Sequence, residues 1–306
     1  MKLILLSNIL EHPGFPLFIR DIATQYPGIT FLVAGDLLNI FPEPGEDLAG
    51  SIYAEIYGLD HLQAGMNELI TTRFKQITQS RFIQPLQQMF LPRGTHFKTA
   101  QMLAHRRYNQ FFTKIAPDLH QNQCRLMFIP GNMDYPYLAQ AATVPHREIT
   151  QLDIDYLQEE GWKIGGLGGI PNTAHPFRGV VEISPYEMTE AEYQRRLHSL
   201  WGVDVLITHL SPEEYPPLAQ FVQNSPLKVL ICRAPFNFKR HHDYRGALGQ
   251  MQLHNKQVIY IRPFEYPTNH FYLLTLDEQG IADPHLEKLA WREERFSPLS
   301  MQRSGS

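Results

Sequence analysis

The sequence has few cysteines, no long apolar run and no serine-hydrolase motif, and each absence narrows the possible functions. Its two cysteines, Cys124 and Cys232, both lie in apolar stretches, which is typical of buried free thiols in a reducing compartment. No apolar run reaches the length of a membrane-spanning helix. The short run after Met1 lacks the cleavage site of a signal peptide. A Gly-x-Ser-x-Gly motif is absent as well, so a serine nucleophile is not expected. We therefore expect a soluble, cytoplasmic protein.

Acidic residues are absent from Ile70 to Pro117, although the whole chain carries a net charge of -4. The basic residues of this segment are Arg73, Lys75, Arg81, Arg93, Lys98, Arg106, Arg107 and Lys114. Such a segment is either a solvated face balanced by acidic loops of the same chain, or a docking surface for an acidic protein, a nucleic acid or a lipid surface. The candidate docking residues are Arg73, Lys75, Arg81, Arg106 and Arg107.

Four strand-like apolar runs end in polar residues that can bind metal ions. The runs and the residues that follow them are Lys2–Leu6 before Ser7-Asn8, Ile29–Ala34 before Gly35-Asp36, Arg125–Pro130 before Gly131-Asn132-Met133-Asp134, and Val203–Thr208 before His209. In open α/β sheets the carboxyl ends of parallel strands meet at one edge, where ligands bind. The pattern therefore predicts an α/β fold with one site at that edge.

Helical and strand-like patterns alternate along the rest of the 306 residues. Residues 48–121 have helical periodicity. A capping box at Thr189–Glu192 predicts a helix that ends near Leu200. The runs Leu152–Leu157 and Trp162–Ile164 are predicted to form a hairpin. The runs Gln257–Ile261 and His270–Leu276 are predicted to form an antiparallel pair. We expect one domain over residues 1–285, and a charged helix from Leu286 to Glu294 followed by a disordered tail.

The order of the strand ends resembles the calcineurin-like metallophosphoesterases. Their pattern is Asp-x-His, Gly-Asp, Gly-Asn-His-(Asp/Glu), a single His and then Gly-His-x-His, and the resemblance covers roughly the first 275 residues. It implies a four-layer α/β/β/α sandwich with a helical insertion over about 48–121, because the family usually joins the second and third strand ends by a shorter crossover. It also implies that Asp36 bridges two metal ions and that Asn132 and His209 bind one of them.

Several positions depart from the family pattern. Asn8-Ile9-Leu10 stands for Asp-x-His, Met133 stands for the histidine that steadies the transition state, and Cys232-Arg233-Ala234-Pro235 stands for Gly-His-x-His. A guanidinium carries a fixed positive charge and does not bind metals. The resemblance therefore implies at most one tightly held divalent ion, which would be Mn, Fe, Zn or Mg, and a chain with no metal is the other expectation. The metal-ligand candidates are Asp36, Asn132 and His209, with Asn8, Asp134 and His12 as weaker ones.

Three hypotheses follow for the function. In the first, Arg233 replaces a lost cation and the site binds an anion such as phosphate. In the second, the chain is a metal-dependent phosphoesterase that uses one metal, with Arg233 or His209 in a catalytic role. Alternatively, His12 or the pair His241-His242 replaces the lost metal ligands. His175 would line the pocket in either case. In the third, the fold is a scaffold that docks through its basic insertion. We favour phosphoanion or partner binding, or regulation, over efficient hydrolysis.

Overall fold

The computed structural model describes residues 1–38, 94–172, 186–235, 249–253, 255–264, 268–277 and 285–292. The helices of these ranges are α1 (Phe15–Gln25), α2 (Gly94–Gln121), α3 (Pro136–Thr143), α4 (Glu190–Ser199) and α5 (Pro216–Asn224). The strands are β1 (Lys2–Leu6), β2 (Thr30–Ala34), β3 (Arg125–Ile129), β4 (Ile149–Gln151), β5 (Asp155–Glu159), β6 (Trp162–Leu167), β7 (Ile170–Pro171), β8 (Glu187–Met188), β9 (Val205–Thr208), β10 (Val229–Arg233), β11 (Gly249–Leu253), β12 (Lys256–Ile261), β13 (Thr268–Thr275) and β14 (His285–Arg292).

Two six-stranded mixed sheets form the centre of this α/β protein. The first has the strand order β14-β13-β1-β2-β3-β4 and the second has the order β11-β12-β10-β9-β6-β5. Strands β1 to β4 run parallel in the first sheet, and β12, β10, β9 and β6 run parallel in the second. Antiparallel strands extend these parallel groups at the edges. The predicted α/β class is therefore confirmed.

The side chains of β1 explain why this strand is apolar on both faces. Leu3 and Leu5 lie in a buried cluster that contains residues from both sheets. Ile4 and Leu6 point the other way, into a cluster shared with α1, α2 and α3. Successive strand residues point to opposite faces, so a strand covered on both sides needs a continuous apolar run. A third cluster joins the second sheet to α4 and α5.

Several local predictions are confirmed. Thr189 caps α4, where its side-chain oxygen accepts a hydrogen bond from the backbone N–H of Glu192 at 3.2 Å. Strands β5 and β6 form an antiparallel hairpin. The N-terminal run forms the central strand β1. Among the described residues, no helix is both long and apolar enough to span a bilayer.

Two predictions about the C-terminal part are wrong. The segment from Leu286 is strand β14, which pairs with β13 from His285 to Arg292. Leu289 and Trp291, two positions apart, are buried, so pairing with β13 outweighs the helical propensity of the charged residues between them. Strands β12 and β13 also do not pair, because β12 lies beside β10 in the second sheet and β13 lies beside β1 in the first. Residues 293–306, with the predicted tail, lie outside the described residues.

The predicted helical insertion is described in part. Residues 39–93 lie outside the described ranges, and Gly94–Gln121 forms α2. Tyr108, Phe112 and Ile115 of this helix are fully buried in the cluster below the first sheet. The aromatic residues Tyr108 and Phe112 therefore belong to the core.

Candidate metal site

The structure brings together the three main ligand candidates, although they come from two different sheets. Asp36 follows β2, Asn132 follows β3 and His209 follows β9. His209 Nε2 lies 3.0 Å from Asn132 Oδ1 and 3.4 Å from Asp36 Oδ2. Asp36 and His209 are only 3% and 1% exposed. The three side chains therefore form one compact polar cluster at the carboxyl ends of the parallel strands.

Two glycines make this close approach possible. Gly35 has a φ of +91°, and a Cβ atom there would lie 2.3 Å from His209 Nδ1. A Cβ atom on Gly131 would lie 2.0 Å from Asp36 Oδ1. Real Cβ atoms do not approach other heavy atoms this closely, so both positions need glycine. The Gly-Asp and Gly-Asn pairs in the sequence thus reflect the packing of the site.

The tautomer of His209 follows from its surroundings. Its Nδ1 faces the carbonyl oxygen of Ala34 at 3.0 Å, and a carbonyl oxygen only accepts, so Nδ1 carries a proton. Nε2 lies close to two oxygens, Asn132 Oδ1 and Asp36 Oδ2. A proton or a metal ion between these three atoms favours their close approach. Donor atoms that share one octahedral ion lie about 3 Å apart, so these residues fit a single divalent ion.

Asp36 is held in its ionised form. Burial raises the pKa of its carboxyl group. The charge and hydrogen bond of His209, the backbone N–H of Met133 and the charge of Arg233 together lower this pKa by more than burial raises it, so the net pKa is below the usual value. Met133 N donates to Oδ1 at 3.1 Å and Asn8 Nδ2 donates to Oδ2 at 3.2 Å. Asn8 therefore presents its NH₂ group to the carboxylate, while its buried Oδ1 has no hydrogen-bond partner among the described residues.

Asp134 has a supporting role that the sequence did not indicate. Its buried carboxylate accepts hydrogen bonds from the backbone N–H groups of Gly131, Leu37 and Leu38 at 2.8 to 3.1 Å, and from Tyr108 Oη at 2.9 Å. Burial and the charge of Asp36 raise its pKa to about 6, although the three N–H groups act in the opposite direction. Its oxygens are engaged in tying the two ligand loops together, which does not favour the predicted weaker ligand role.

Replacing Tyr108 by phenylalanine is expected to lower the free energy of unfolding by about 2 kcal/mol. The Tyr108 hydroxyl donates to Asp134 and accepts from the backbone N–H of Tyr135 at 3.0 Å. The substitution leaves that buried N–H without a partner, which is costly. Urea unfolding measures the effect, with Tyr137→Phe as the control because Tyr137 is exposed on the neighbouring helix. Equal unfolding midpoints for the two variants would contradict this role of Tyr108.

His12, one of the histidines proposed to refill the site, makes local contacts near its own turn. His12 Nδ1 accepts a hydrogen bond from the backbone N–H of Gly14 at 3.1 Å, and its ring packs against Phe264 with centroids 5.5 Å apart. His12 thus stabilises the turn before α1. The other histidine candidates, His175, His241 and His242, lie outside the described residues.

Arg233 is paired with a carboxylate that sequence reasoning missed. Its Nη2 donates to Glu214 Oε1 at 2.7 Å, and its Nη1 donates to the carbonyl oxygen of Ala234 at 3.2 Å. Glu214 also accepts from the backbone N–H of Ser211, in the loop after His209. The charge of Arg233 reaches Asp36 but is offset by Glu214, so this pairing does not favour Arg233 as a replacement for a lost cation. No motif in the sequence marks Glu214 as its partner.

The two docking candidates that the structure describes, Arg106 and Arg107, differ in their surroundings. Arg107 forms an ion pair with Glu11 in the loop after β1, with Nε 2.9 Å from Oε1, so it is an internal counter-ion. Arg106, the next residue along α2, is exposed. The remaining candidates, Arg73, Lys75 and Arg81, lie outside the described ranges.

Among the residues that the structure describes, no group of three or more His, Cys, Asp or Glu residues could hold a metal. The candidate set consists instead of one Asp, one His and one Asn.

Comparison with known proteins shows the fold alone. No protein-family model and no curated protein matches this sequence. Fifteen chains of solved structures match it. One crystal structure has 15% identity and a TM-score of 0.55, and covers 94% of this chain and 98% of its own. The crystal structure of TT1561 of Thermus thermophilus has 12% identity and a TM-score of 0.52, and covers 94% of this chain and 97% of its own. The chain is thus a mixed α/β protein with structural relatives over nearly its whole length.

Proposed function

We propose that this chain is a divergent calcineurin-like metallophosphoesterase that binds a phosphate-bearing ligand through a single divalent cation and hydrolyses it poorly. The observation that carries the proposal is the convergence of Asp36, Asn132 and His209. Asp36 Oδ2 lies 3.4 Å and Asn132 Oδ1 lies 3.0 Å from His209 Nε2. These residues occupy the positions that the family pattern assigns to one of its two metals.

The arrangement of the buried clusters supports the finer fold assignment. One cluster contains residues of both sheets, and the two others join each sheet to its own helices. A four-layer α/β/β/α sandwich is the arrangement that produces such clusters, because each sheet must bury both faces. The candidate ligands then lie at the shared carboxyl edge of the two sheets.

The surroundings of the site support one cation rather than two. Asn8 donates its amide N–H to Asp36 at 3.2 Å instead of offering a carboxylate, and Leu10 and Pro235 have no ligating atom. An imidazole with two oxygen donors suits Mn, Fe, Zn or Mg. Such a cation acts as a Lewis acid on a phosphoryl oxygen. The chain's own contribution is to hold the Asp36 carboxylate ionised and to fix the proton of His209 on Nδ1.

Two losses support binding over efficient hydrolysis. Met133 stands where the family has a histidine, and Arg233 is paired with Glu214 at 2.7 Å. Each missing group that stabilises the transition state typically costs about a hundredfold or more in rate. The alternative, a hydrolase that uses one metal with Arg233, would require Arg233 to leave Glu214.

Elemental analysis after dialysis against Mn²⁺ tests the proposal, together with calorimetric titration of inorganic phosphate into the apo and Mn²⁺-loaded chain. We expect one equivalent of Mn²⁺ per chain, phosphate binding only in the loaded form, and feeble turnover of a simple phosphodiester. Two equivalents of metal would show that the second set of ligands is intact. Robust turnover that a chelator abolishes would favour the hydrolase alternative, and absence of both metal and phosphate binding would favour a scaffold.

A further inference from the structure

The outer face of α2 is basic, and α2 and the uncharged α3 both carry isolated, strongly exposed apolar side chains. Met102 on α2, Tyr137 on α3 and Val144 at the end of α3 are 73%, 86% and 82% exposed, the highest values among the large hydrophobic residues that the structure describes. Arg106 and Lys114 on α2 are exposed as well. Neither basic residue forms an ion pair with any described residue.

The two helices present these side chains to the same side of the molecule. Both bury their inner faces in one cluster, through residues such as Tyr108 and Phe112 of α2 and Ala139 of α3. At one end of α3, Tyr108 Oη accepts a hydrogen bond from the backbone N–H of Tyr135. Beyond the other end, His120 Nδ1 lies 2.6 Å from Glu148 Oε1. The helices therefore lie side by side over the first sheet, and their exposed sides form one continuous surface.

The charge of this surface has one sign. Helix α3 contains no acidic residue, and α2 contains none before Asp118. Arg147, just beyond α3, adds a further exposed cation, although Glu148 lies 3.3 Å from it. A partner that complements this surface must be anionic and must also accept apolar side chains.

We propose that this surface of α2 and α3, defined by Met102, Arg106, Lys114, Tyr137 and Val144, binds the anionic lipid surface of a membrane. A side chain that is more than seven-tenths exposed stands out from the protein and does not line a groove, so an acidic peptide would find no cleft around these three apolar residues. A nucleic acid would stack on Tyr137, but Met102 and Val144 offer it nothing. A bilayer interface accepts isolated apolar side chains singly, while its anionic headgroups attract the neighbouring cations.

The attachment is peripheral and independent of the candidate metal site. Arg106 and Tyr137 make no contact with Asp36, Asn132 or His209 among the hydrogen bonds and ion pairs of the described residues. Since the attraction is partly electrostatic, it weakens as salt rises. The binding is reversible, because each of the three exposed apolar side chains would insert only a small apolar area into the bilayer and only two or three cations add electrostatic attraction.

Co-sedimentation of the full chain with vesicles tests the proposal. Wild-type protein is expected to sediment with vesicles of equimolar phosphatidylglycerol and phosphatidylcholine, and not with pure phosphatidylcholine. Arg106→Glu with Lys114→Glu should weaken binding at least tenfold, and so should Tyr137→Ser with Val144→Ser. Two matched controls, Lys2→Glu for charge and Tyr156→Ser for an exposed aromatic residue on β5, should bind like wild type.

Three outcomes would overturn the proposal. The first is equal binding to both vesicle types or to none, and the second is wild-type binding by both double variants. The third is loss of the circular dichroism signal or thermal midpoint in both double variants, since this would make the altered side chains part of the core. Binding of a single-stranded RNA or an acidic peptide by the same residues, without vesicle binding, would assign the surface to that partner instead.

Discussion

Replacing Gly131 by alanine is expected to abolish Mn²⁺ binding and to lower the free energy of unfolding by more than about 3 kcal/mol. The new Cβ would lie 2.0 Å from Asp36 Oδ1 and 2.4 Å from the backbone nitrogen of Asp36. Backbone atoms in a packed core cannot move aside cheaply. The two ligand loops must therefore separate, which also breaks the hydrogen bond from Gly131 N to Asp134 at 2.8 Å. Urea unfolding and calorimetric Mn²⁺ titration measure the two effects.

Gly202→Ala is the matched control for this substitution. The Cβ of that variant meets no heavy atom closer than Lys163 Nζ at 3.7 Å, which is ordinary van der Waals contact. We expect its stability to stay within about 0.5 kcal/mol of wild type and its metal affinity to be unchanged. If both alanine variants unfolded at the same urea concentration, the close approach of Gly131 and Asp36 would not exist in solution.

Asp36→Asn is expected to reduce Mn²⁺ affinity at least a hundredfold while the fold remains intact. Asp36 has a φ of +53°, a left-handed conformation that asparagine tolerates better than most residues, so the substitution removes the charge with little backbone strain. Without the carboxylate, the cluster offers a cation only neutral donors. Asp204→Asn is the control, because Asp204 lies before β9, at the opposite end of that strand from His209, where it pairs with Lys228.

The same variant predicts a change in the pH dependence of stability. The folded-state pKa of Asp36 is below its usual value, so its ionisation stabilises the folded state at neutral pH, and this contribution is lost as the pH falls through that lowered pKa. Asp36→Asn should therefore lose less stability than wild type on acidification. Urea midpoints measured from neutral to acidic pH test this. If wild type and variant lost stability in parallel, the charge of Asp36 would not be stabilised by the fold.

The candidate ligands were predictable because their signals are local. Asp36, Asn132 and His209 each follow a strongly apolar run, and the carboxyl ends of parallel strands meet at one edge of a sheet. The capping box at Thr189 was predictable for a similar reason, since it involves residues only three positions apart. Charge distribution predicted that the segment around Arg106 is basic, but it could not separate Arg106 from Arg107.

The supporting contacts could not be predicted, because their partners are distant in sequence. Tyr108 and Asp134 are 26 residues apart and Arg233 and Glu214 are 19 apart, and no motif relates the members of either pair. The same limit applies to the edge strands. The pattern from Leu286 is short and charged, and it becomes a strand because β13 offers an unpaired edge.

Local patterns along the chain were enough to show which runs are apolar on both sides, which polar groups end the strands and where acidic residues are missing. These properties depend on neighbours in the sequence, so they can be read without the fold. The folded structure was needed to show that Nε2 of His209 meets two oxygens from the other sheet, that Asp134 ties the ligand loops together, and that Glu214 offsets Arg233. These contacts depend on burial and on distances of about 3 Å across elements far apart in sequence, which no local pattern specifies.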